Sequence, residues 1–216
     1  MNIFKIALFG PQGSGKGTQA KMLSLKYNLP ILATGDIFRK EIKNETELGK
    51  KVASLIKEGH LVPDKITNEI VLNELSGEKY KNGFILDGFP RNMAQLYDME
   101  KENGLTHIFE LEINDEEVIK RLSVRRICSK CGIIYSLTVK PSREEYVCDS
   151  CRGELILRED DKPEAIQKRL DIYHKETESV LNFYKEKGKV IKIDGAQSIE
   201  KVFEDIVKAI YGTSSN

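Results

Sequence analysis

The run Gly10-Pro11-Gln12-Gly13-Ser14-Gly15-Lys16 constrains what this chain can fold into more than any other segment. It follows the apolar stretch Ile3-Phe4-Lys5-Ile6-Ala7-Leu8-Phe9, which reads as a strand buried on both faces, and it precedes a helical pattern over residues 16–27. Strand, glycine loop and helix in that order make a phosphate cradle. Glycines let successive N–H groups turn inward, the helix N-terminus adds partial positive charge, and Lys16 reaches the β- and γ-phosphates of a nucleotide. The first seven positions of the eight-residue phosphate-loop pattern match; the eighth, normally Ser or Thr on magnesium, is Gly17, and the hydroxyl comes one residue later at Thr18. Gly13, Ser14, Gly15, Lys16, Gly17 and Thr18 are therefore the candidate triphosphate-binding residues.

Further short apolar runs at 30–33, 84–86, 107–111 and 190–193 alternate with amphipathic segments at 66–75, 93–102, 116–124, 165–186 and 199–210. This alternation predicts an α/β fold, a doubly wound parallel five-stranded sheet with helices on both faces. Two stretches break the rhythm. Residues 34–62 carry two helical patterns with no strand between them, and residues 125–161 carry β-type residues, Ile133-Ile134-Tyr135 and Tyr146-Val147, around the four cysteines. Both read as insertions projecting from the sheet, and residues 212–216 read as a frayed tail. The 34 Lys and Arg residues balance 34 Asp and Glu, so no long-range field draws the chain to nucleic acid or to an anionic membrane. The apolar start is too short for a signal peptide, and nothing approaches the roughly 20 apolar residues of a bilayer span. A soluble, cytosolic protein is expected.

Cys128-x2-Cys131 and Cys148-x2-Cys151, separated by 16 residues, have the spacing of a four-thiolate zinc ribbon. Four sulfurs saturate tetrahedral zinc and leave no position for water, so such a metal is structural: it staples a segment too small to bury much core. Four free thiols or two disulfides are the alternative, the latter disfavoured in a reducing compartment.

Other residues point to phosphate chemistry. Asp87 follows Phe84-Ile85-Leu86, which puts a carboxylate at the carboxyl end of a strand beside the glycine loop, where it can orient hydrated magnesium; the alternative is a helix cap. Arg91 offers a guanidinium fork to two phosphate oxygens. Gln95, one helical turn on, can pair with an adenine edge or simply be an exposed polar residue. Arg39 lies five residues after Thr34 in a helix whose N-terminus would face an acceptor phosphate.

The pattern Gly-x-x-Gly-x-Gly-Lys-Gly-Thr, with Gln19-Ala20 after it, resembles the nucleoside monophosphate kinases, and the remaining motifs bring the match close to the adenylate kinase family over nearly the whole chain. The resemblance implies that Thr34-Gly35-Asp36-Ile37-Phe38-Arg39 opens an insertion for the acceptor AMP and that Gly59-His60-Leu61-Val62-Pro63-Asp64 closes it, while Asp87-Gly88-Phe89-Pro90-Arg91 follows the third strand. It divides the chain into a core at 1–33, 63–123 and 162–216, an acceptor insertion at 34–62 and a zinc lid at 124–161. It assigns AMP to Thr34, Arg39, His60, Leu61, Val62, Gly88, Phe89, Pro90, Arg91, Gln95, Arg158 and Arg169, and adds Arg121, Arg125, Ile134, Tyr135 and Gln197 to the loop residues on ATP. Lys16, Arg39, Asp87, Arg91, Arg125, Arg158 and Arg169 would carry catalysis, with Asp160 and Asp161 steadying the lid-side arginines. Thr34 favours AMP, because the related pyrimidine monophosphate kinases tend to have alanine there. The implied reaction is reversible, magnesium-dependent ATP + AMP to 2 ADP, a step that balances adenine nucleotides, by a monomer with structural Zn²⁺. Rival readings are a kinase for another monophosphate, or a nucleic-acid-binding protein or switch that uses the loop for regulation; zero net charge and the lack of a basic-aromatic run weigh against the second.

Overall fold

The computed structural model describes residues 3–102 and 104–213. Its body is a five-stranded parallel sheet. β1 (Phe4–Phe9), β2 (Ile31–Ala33), β3 (Gly83–Asp87), β4 (His107–Glu112) and, much later, β8 (Val190–Asp194) run in the spatial order β2-β3-β1-β4-β8. Chain direction across the sheet reverses at β1, where a ligand crevice forms outside the strand ends. The register brings those ends together: Leu8 lies opposite Asp87, and Asp87 opposite Ala33.

The apolar run Ile6-Ala7-Leu8-Phe9 of β1 follows from burial on both faces. Ala7 and Phe9 join one cluster with Leu86, Leu96, Val180 and Tyr184, while Ile6 and Leu8 join another with Leu23, Phe109, Val202 and Ile206. The helices that cover the sheet are α1 (Lys16–Tyr27), α4 (Asp64–Leu75), α5 (Met93–Glu102), α6 (Asp115–Ser123), α7 (Pro163–Ile172), α8 (Glu178–Glu186) and α9 (Ile199–Thr213). The expected parallel α/β architecture is thus the observed one, with corrections of detail. The amphipathic stretch read as one helix over 165–186 is broken by a π-helical turn at Tyr173–Thr177, a feature that leaves the hydrophobic period readable on either side. The last helix continues through Gly212 to Thr213, where a frayed tail was expected to begin; the rest of that tail, 214–216, lies outside the described residues, as do positions 1 and 2. No helix among the described residues is long and apolar enough to cross a membrane.

The two departures from strand-helix alternation are also as anticipated in kind. Between β2 and α4, α2 (Thr34–Lys43) and α3 (Glu47–Lys57) form a helical hairpin with its own small core of Phe38, Val52 and Val62, and partly buried Ile42, Leu48 and Ile56. Between α6 and α7 lies a three-stranded antiparallel sheet, β5 (Arg125–Cys128), β6 (Ile134–Ser136) and β7 (Leu155–Ile156), ordered β6-β5-β7. Here the sequence reading needs correcting: Tyr146-Val147 forms no strand, Val147 making only isolated bridges to Glu144 and Glu154, whereas the pairing of β5 with β7 carried no local signal.

The hairpin is held tight at Gly49, where a Cβ would stand 2.2 Å from the Glu41 carbonyl oxygen and 2.4 Å from its carbon. Neither helix can accept a methyl group there without moving backbone. Gly49→Ala is expected to destabilise the fold by about 1–3 kcal/mol, read as a lower urea midpoint, despite the higher helix propensity of alanine.

Candidate functional site

The phosphate loop turns as its glycines allow, with φ of +79° at Gly13 and +97° at Gly15, the residue that caps α1. Lys16 folds back over the loop and donates to the carbonyl oxygens of Gly10 (2.7 Å) and Pro11 (2.8 Å). Gln12 Nε2 donates to Ile166 O at 3.0 Å, and Arg121 Nη1 to Gly13 O at 3.4 Å, so α7 and α6 both brace the loop. Asp87, the last residue of β3, closes against it from the neighbouring strand. A Cβ at position 17 would meet Asp87 Oδ2 at 3.2 Å, which gives the Gly17 departure a physical reason: the carboxylate comes up against the bare backbone of α1. Ser14 is buried and Thr18 exposed.

Beside the loop, under the α2–α3 hairpin, opens a cleft. Thr34, Arg39, His60, Leu61, Val62, Gly88, Arg91, Gln95 and Arg169 all line it. Gly35, Phe38, Ile56, Gly59, Thr67 and Asp160 line it too, and the sequence reading did not assign them to a ligand. Thr34 Oγ1 donates to Gly88 O at 2.9 Å, joining the ends of β2 and β3. Arg39 pairs with Asp36 at 2.5 Å. Arg91 Nε donates to Gly88 O at 2.7 Å, and Arg91 O accepts from the buried Thr177 hydroxyl at 2.9 Å, a support from the π-helical turn that no sequence motif signalled. Gln95 is 2 % exposed, so the alternative of an exposed polar residue falls. Phe89 turns its ring into the sheet core, and Pro90 beside it is buried.

From the cysteine-bearing insertion and from α7 come the other arginines. Arg125 forms a two-pronged bond to Asp161, Nε to Oδ2 at 2.8 Å and Nη2 to Oδ1. Arg158 does the same to Asp160, at 2.8 and 2.5 Å. Arg169 Nη1 reaches Asp160 O at 2.8 Å, Asp160 Oδ2 at 3.2 Å and Asp161 Oδ1 at 3.4 Å. The pair Asp160-Asp161 therefore holds three arginines at the rim of the cleft. Tyr135 points away from it, its hydroxyl 3.4 Å from Cys148 Sγ and accepting from Asp149 N at 2.9 Å, so only its backbone is free to face a nucleotide; Ile134 is exposed. Gln197 lies past the end of β8, with Nε2 donating to Asp194 O and Asp205.

Burial sets the electrostatics of these cations. Burial pushes the Lys16 ammonium down to about 8, and Arg91, Arg169 and Arg125 push the same way against Asp87. Burial likewise disfavours the charge on Arg91, Arg125 and Arg169, although guanidinium stays protonated in proteins. Asp87 is raised by burial, against the pull of Lys16 and Arg91. Asp160 behaves oppositely: burial acts upward, but Arg169 and Arg158 together hold it well below the carboxylate range.

The four cysteine sulfurs gather within 4.8 Å of one another, with Cys128 Sγ 3.4 Å from Cys151 Sγ and Cys131 Sγ 3.6 Å from Cys148 Sγ. Thiolates about 2.3 Å from a tetrahedral zinc lie roughly 3.8 Å apart, so the quartet fits a metal with little adjustment. None of the four is in a disulfide. Close by, Lys43 Nζ at the end of α2 donates to the carbonyl oxygens of Ser129 (3.2 Å) and Lys130 (2.9 Å), inside the first cysteine turn.

The family model described as adenylate kinase matches residues 8–189. The chain is 44% identical over 213 residues to an adenylate kinase of Caldanaerobacter subterraneus subsp. tengcongensis, covering 96% of each. It is 45% identical over 213 residues to an adenylate kinase of Acetivibrio thermocellus, covering 96% of this chain and 98% of the relative. Over 211 residues it is 45% identical to an adenylate kinase of Clostridioides difficile, covering 95% and 98%.

Two expectations follow from this geometry. Phosphate requires the charged form of Lys16, which the free protein loses as pH rises through about 8; affinity for a non-hydrolysable ATP analogue should then fall by up to about tenfold per pH unit above that point, and calorimetry on Lys16→Met should find weaker binding without the decline. Stripping the metal with a chelator should lower the melting temperature of the protein by several degrees while room-temperature turnover falls less, because four thiolates leave the ion no open position.

Proposed function

The chain belongs to the adenylate kinase family, and from that premise we propose that it moves the terminal phosphoryl group of ATP to AMP, reversibly, giving two molecules of ADP. The observation that carries this reading is the set of cations around one cleft, Lys16, Arg91, Arg125 and Arg169, all partly buried and all held where their charge is disfavoured. A protein bears that cost where an anion of high charge repays it.

In the transfer the bond between the γ-phosphorus and the β–γ bridging oxygen breaks, and a bond forms to an oxygen of the AMP phosphate in line with it. No proton need be abstracted from an ionised phosphate, so the work is alignment and charge balance. Gly13, Ser14, Gly15, Lys16, Gly17 and Thr18 cradle the ATP phosphates, with Arg121 and Arg125 above them and Ile134, Tyr135 and Gln197 toward the donor base. Thr34, Arg39, His60, Leu61, Val62 and Gln95, with the 88–91 turn, receive AMP, and Arg158 and Arg169 close over both phosphates. Lys16 and the arginines offset the charge that spreads over the equatorial oxygens in the transition state. Magnesium carried by the nucleotide supplies further charge neutralisation, and the oxygen-only chemistry of Asp87 suits a hard hydrated cation.

In this scheme residues 34–62 act as the acceptor insertion and 124–161 as the lid on a core of 1–33, 63–123 and 162–216. The rim aspartates carry arginines into place as the lid closes, which also excludes the water that would otherwise accept the phosphate. Zinc is the metal that four thiolates at these separations suit, in a structural role. The enzyme is read as a cytoplasmic monomer acting on ATP, AMP and ADP, with no nucleic acid or membrane partner.

The test is a panel of acceptors with Mg-ATP. AMP should be preferred over UMP and CMP by roughly a hundredfold or more in kcat/KM. Absence of AMP-dependent ADP formation, or a preference for UMP or CMP, overturns the proposal.

A further inference from the structure

The side-chain amide of Gln95 is held in one orientation. Its Oε1 accepts from the backbone N–H of Arg91 at 2.8 Å, and its Nε2 donates to Asp64 Oδ1 at 2.7 Å. Asp64 stands at the start of α4, where the chain leaves the helical hairpin, and the same Oδ1 accepts from Asn92 Nδ2 at 2.8 Å. Asn92 is in turn fixed by its own Oδ1, which accepts from Gln95 N at 3.0 Å. A carboxylate can only accept and a backbone N–H can only donate. Turning the Gln95 amide over would set oxygen against oxygen at Asp64 and N–H against N–H at Arg91, in a site where the glutamine is almost wholly buried.

An amide nitrogen has two hydrogens and an amide oxygen two lone pairs. With one of each engaged by Asp64 and Arg91, one N–H and one lone pair remain, in a fixed order, for whatever occupies the cleft that Gln95 lines. Adenine presents on its Watson–Crick edge a 6-amino donor beside an N1 acceptor. A 6-oxopurine presents the reverse, a 6-oxo acceptor beside an N1–H donor. Only one of the two orders matches an amide that cannot turn over. We propose that Asp64 is a specificity-determining positioning residue: by holding the Gln95 amide against reversal, it makes the acceptor site select a 6-aminopurine monophosphate over a 6-oxopurine monophosphate.

The inference rests on the reading that Gln95 faces the acceptor base, and it adds to that reading the reason the glutamine discriminates. Thr34, the other side chain used to argue for AMP, spends its hydroxyl proton on Gly88 O and is not bound by Asp64.

The discriminating experiment compares AMP with IMP, which differ at the two edge positions concerned, as acceptors for Mg-ATP. Three variants are used: Asp64→Ala, which removes the acceptor, Asp64→Leu, which fills the same space without one, and Gln95→Leu. Both Asp64 variants should lower the AMP-to-IMP ratio of kcat/KM by roughly tenfold, the value of one buried mismatched hydrogen bond, with part of the change a gain in kcat/KM for IMP. A merely structural role for Asp64 would depress both acceptors together and leave the ratio alone. Asp64→Leu decides the matter if the alanine variant does not fold. An unchanged ratio in the Asp64 variants, when Gln95→Leu abolishes discrimination, overturns the role of Asp64 and leaves that of Gln95 standing. An unchanged ratio in Gln95→Leu overturns both.

Discussion

Uncompensated positive charge, buried where three parallel strands end side by side, is the constraint around which the rest of this molecule is arranged. The ends of β2, β3 and β1 bring Ala33, Asp87 and Leu8 into register, so the helical hairpin, the 87–91 turn and the glycine loop all begin within one small region. Lys16 and Arg91 are introduced there by the core, and Arg169 by α7. Burying cations without a full set of partners costs stability, and the fold limits that cost with two aspartates at the rim and one at the end of β3. What remains uncompensated is what a phosphate would neutralise.

Much of this was legible in the sequence because it depends on local spacing. The part of a strand buried on both faces must be apolar, a phosphate loop needs its glycines between strand and helix, and a four-thiolate site needs two close cysteine pairs; each is a short-range pattern, and each appears where it was expected. The strands of the cysteine-bearing sheet were harder to see, because β5 and β7 are only four and two residues long and pair across more than 25 positions. The supporting contacts were invisible for a similar reason. Asp64 on Gln95 and Thr177 on Arg91 are single hydrogen bonds between residues 31 and 86 positions apart, and no periodicity announces them. Tyr135 shows a different limit: a tyrosine on a β-strand has two faces to choose from, and the metal-site core took the side chain.

The two insertions leave the core at unrelated points in the chain, yet they meet. Lys43 at the tip of the helical hairpin donates to two carbonyl groups of the first cysteine turn, and Lys57 of α3 lies 4.0 Å from Glu159 beside the rim aspartates. Exposed contacts of this kind are individually weak, so they bias an arrangement without locking it. Backbone hydrogen bonds from Gly132 N to Cys128 O and from Ser129 N to Glu154 O help to hold the cysteine turn that presents these carbonyl groups.

The π-helical turn at Tyr173–Thr177 has a geometric meaning that becomes clear from the residues on either side of it. Arg169 and Thr177 are eight positions apart, and at 3.6 residues per turn they would project about 80° away from one another around the helix axis. A π-turn accommodates one extra residue and so takes back about 100° of rotation, leaving the two nearly in phase. One helical rod can in this way send Arg169 to the rim aspartates and Thr177 to the carbonyl of Arg91. The irregular turn acts as a phase corrector, bringing onto a single azimuth two side chains that a regular helix would have pointed in different directions.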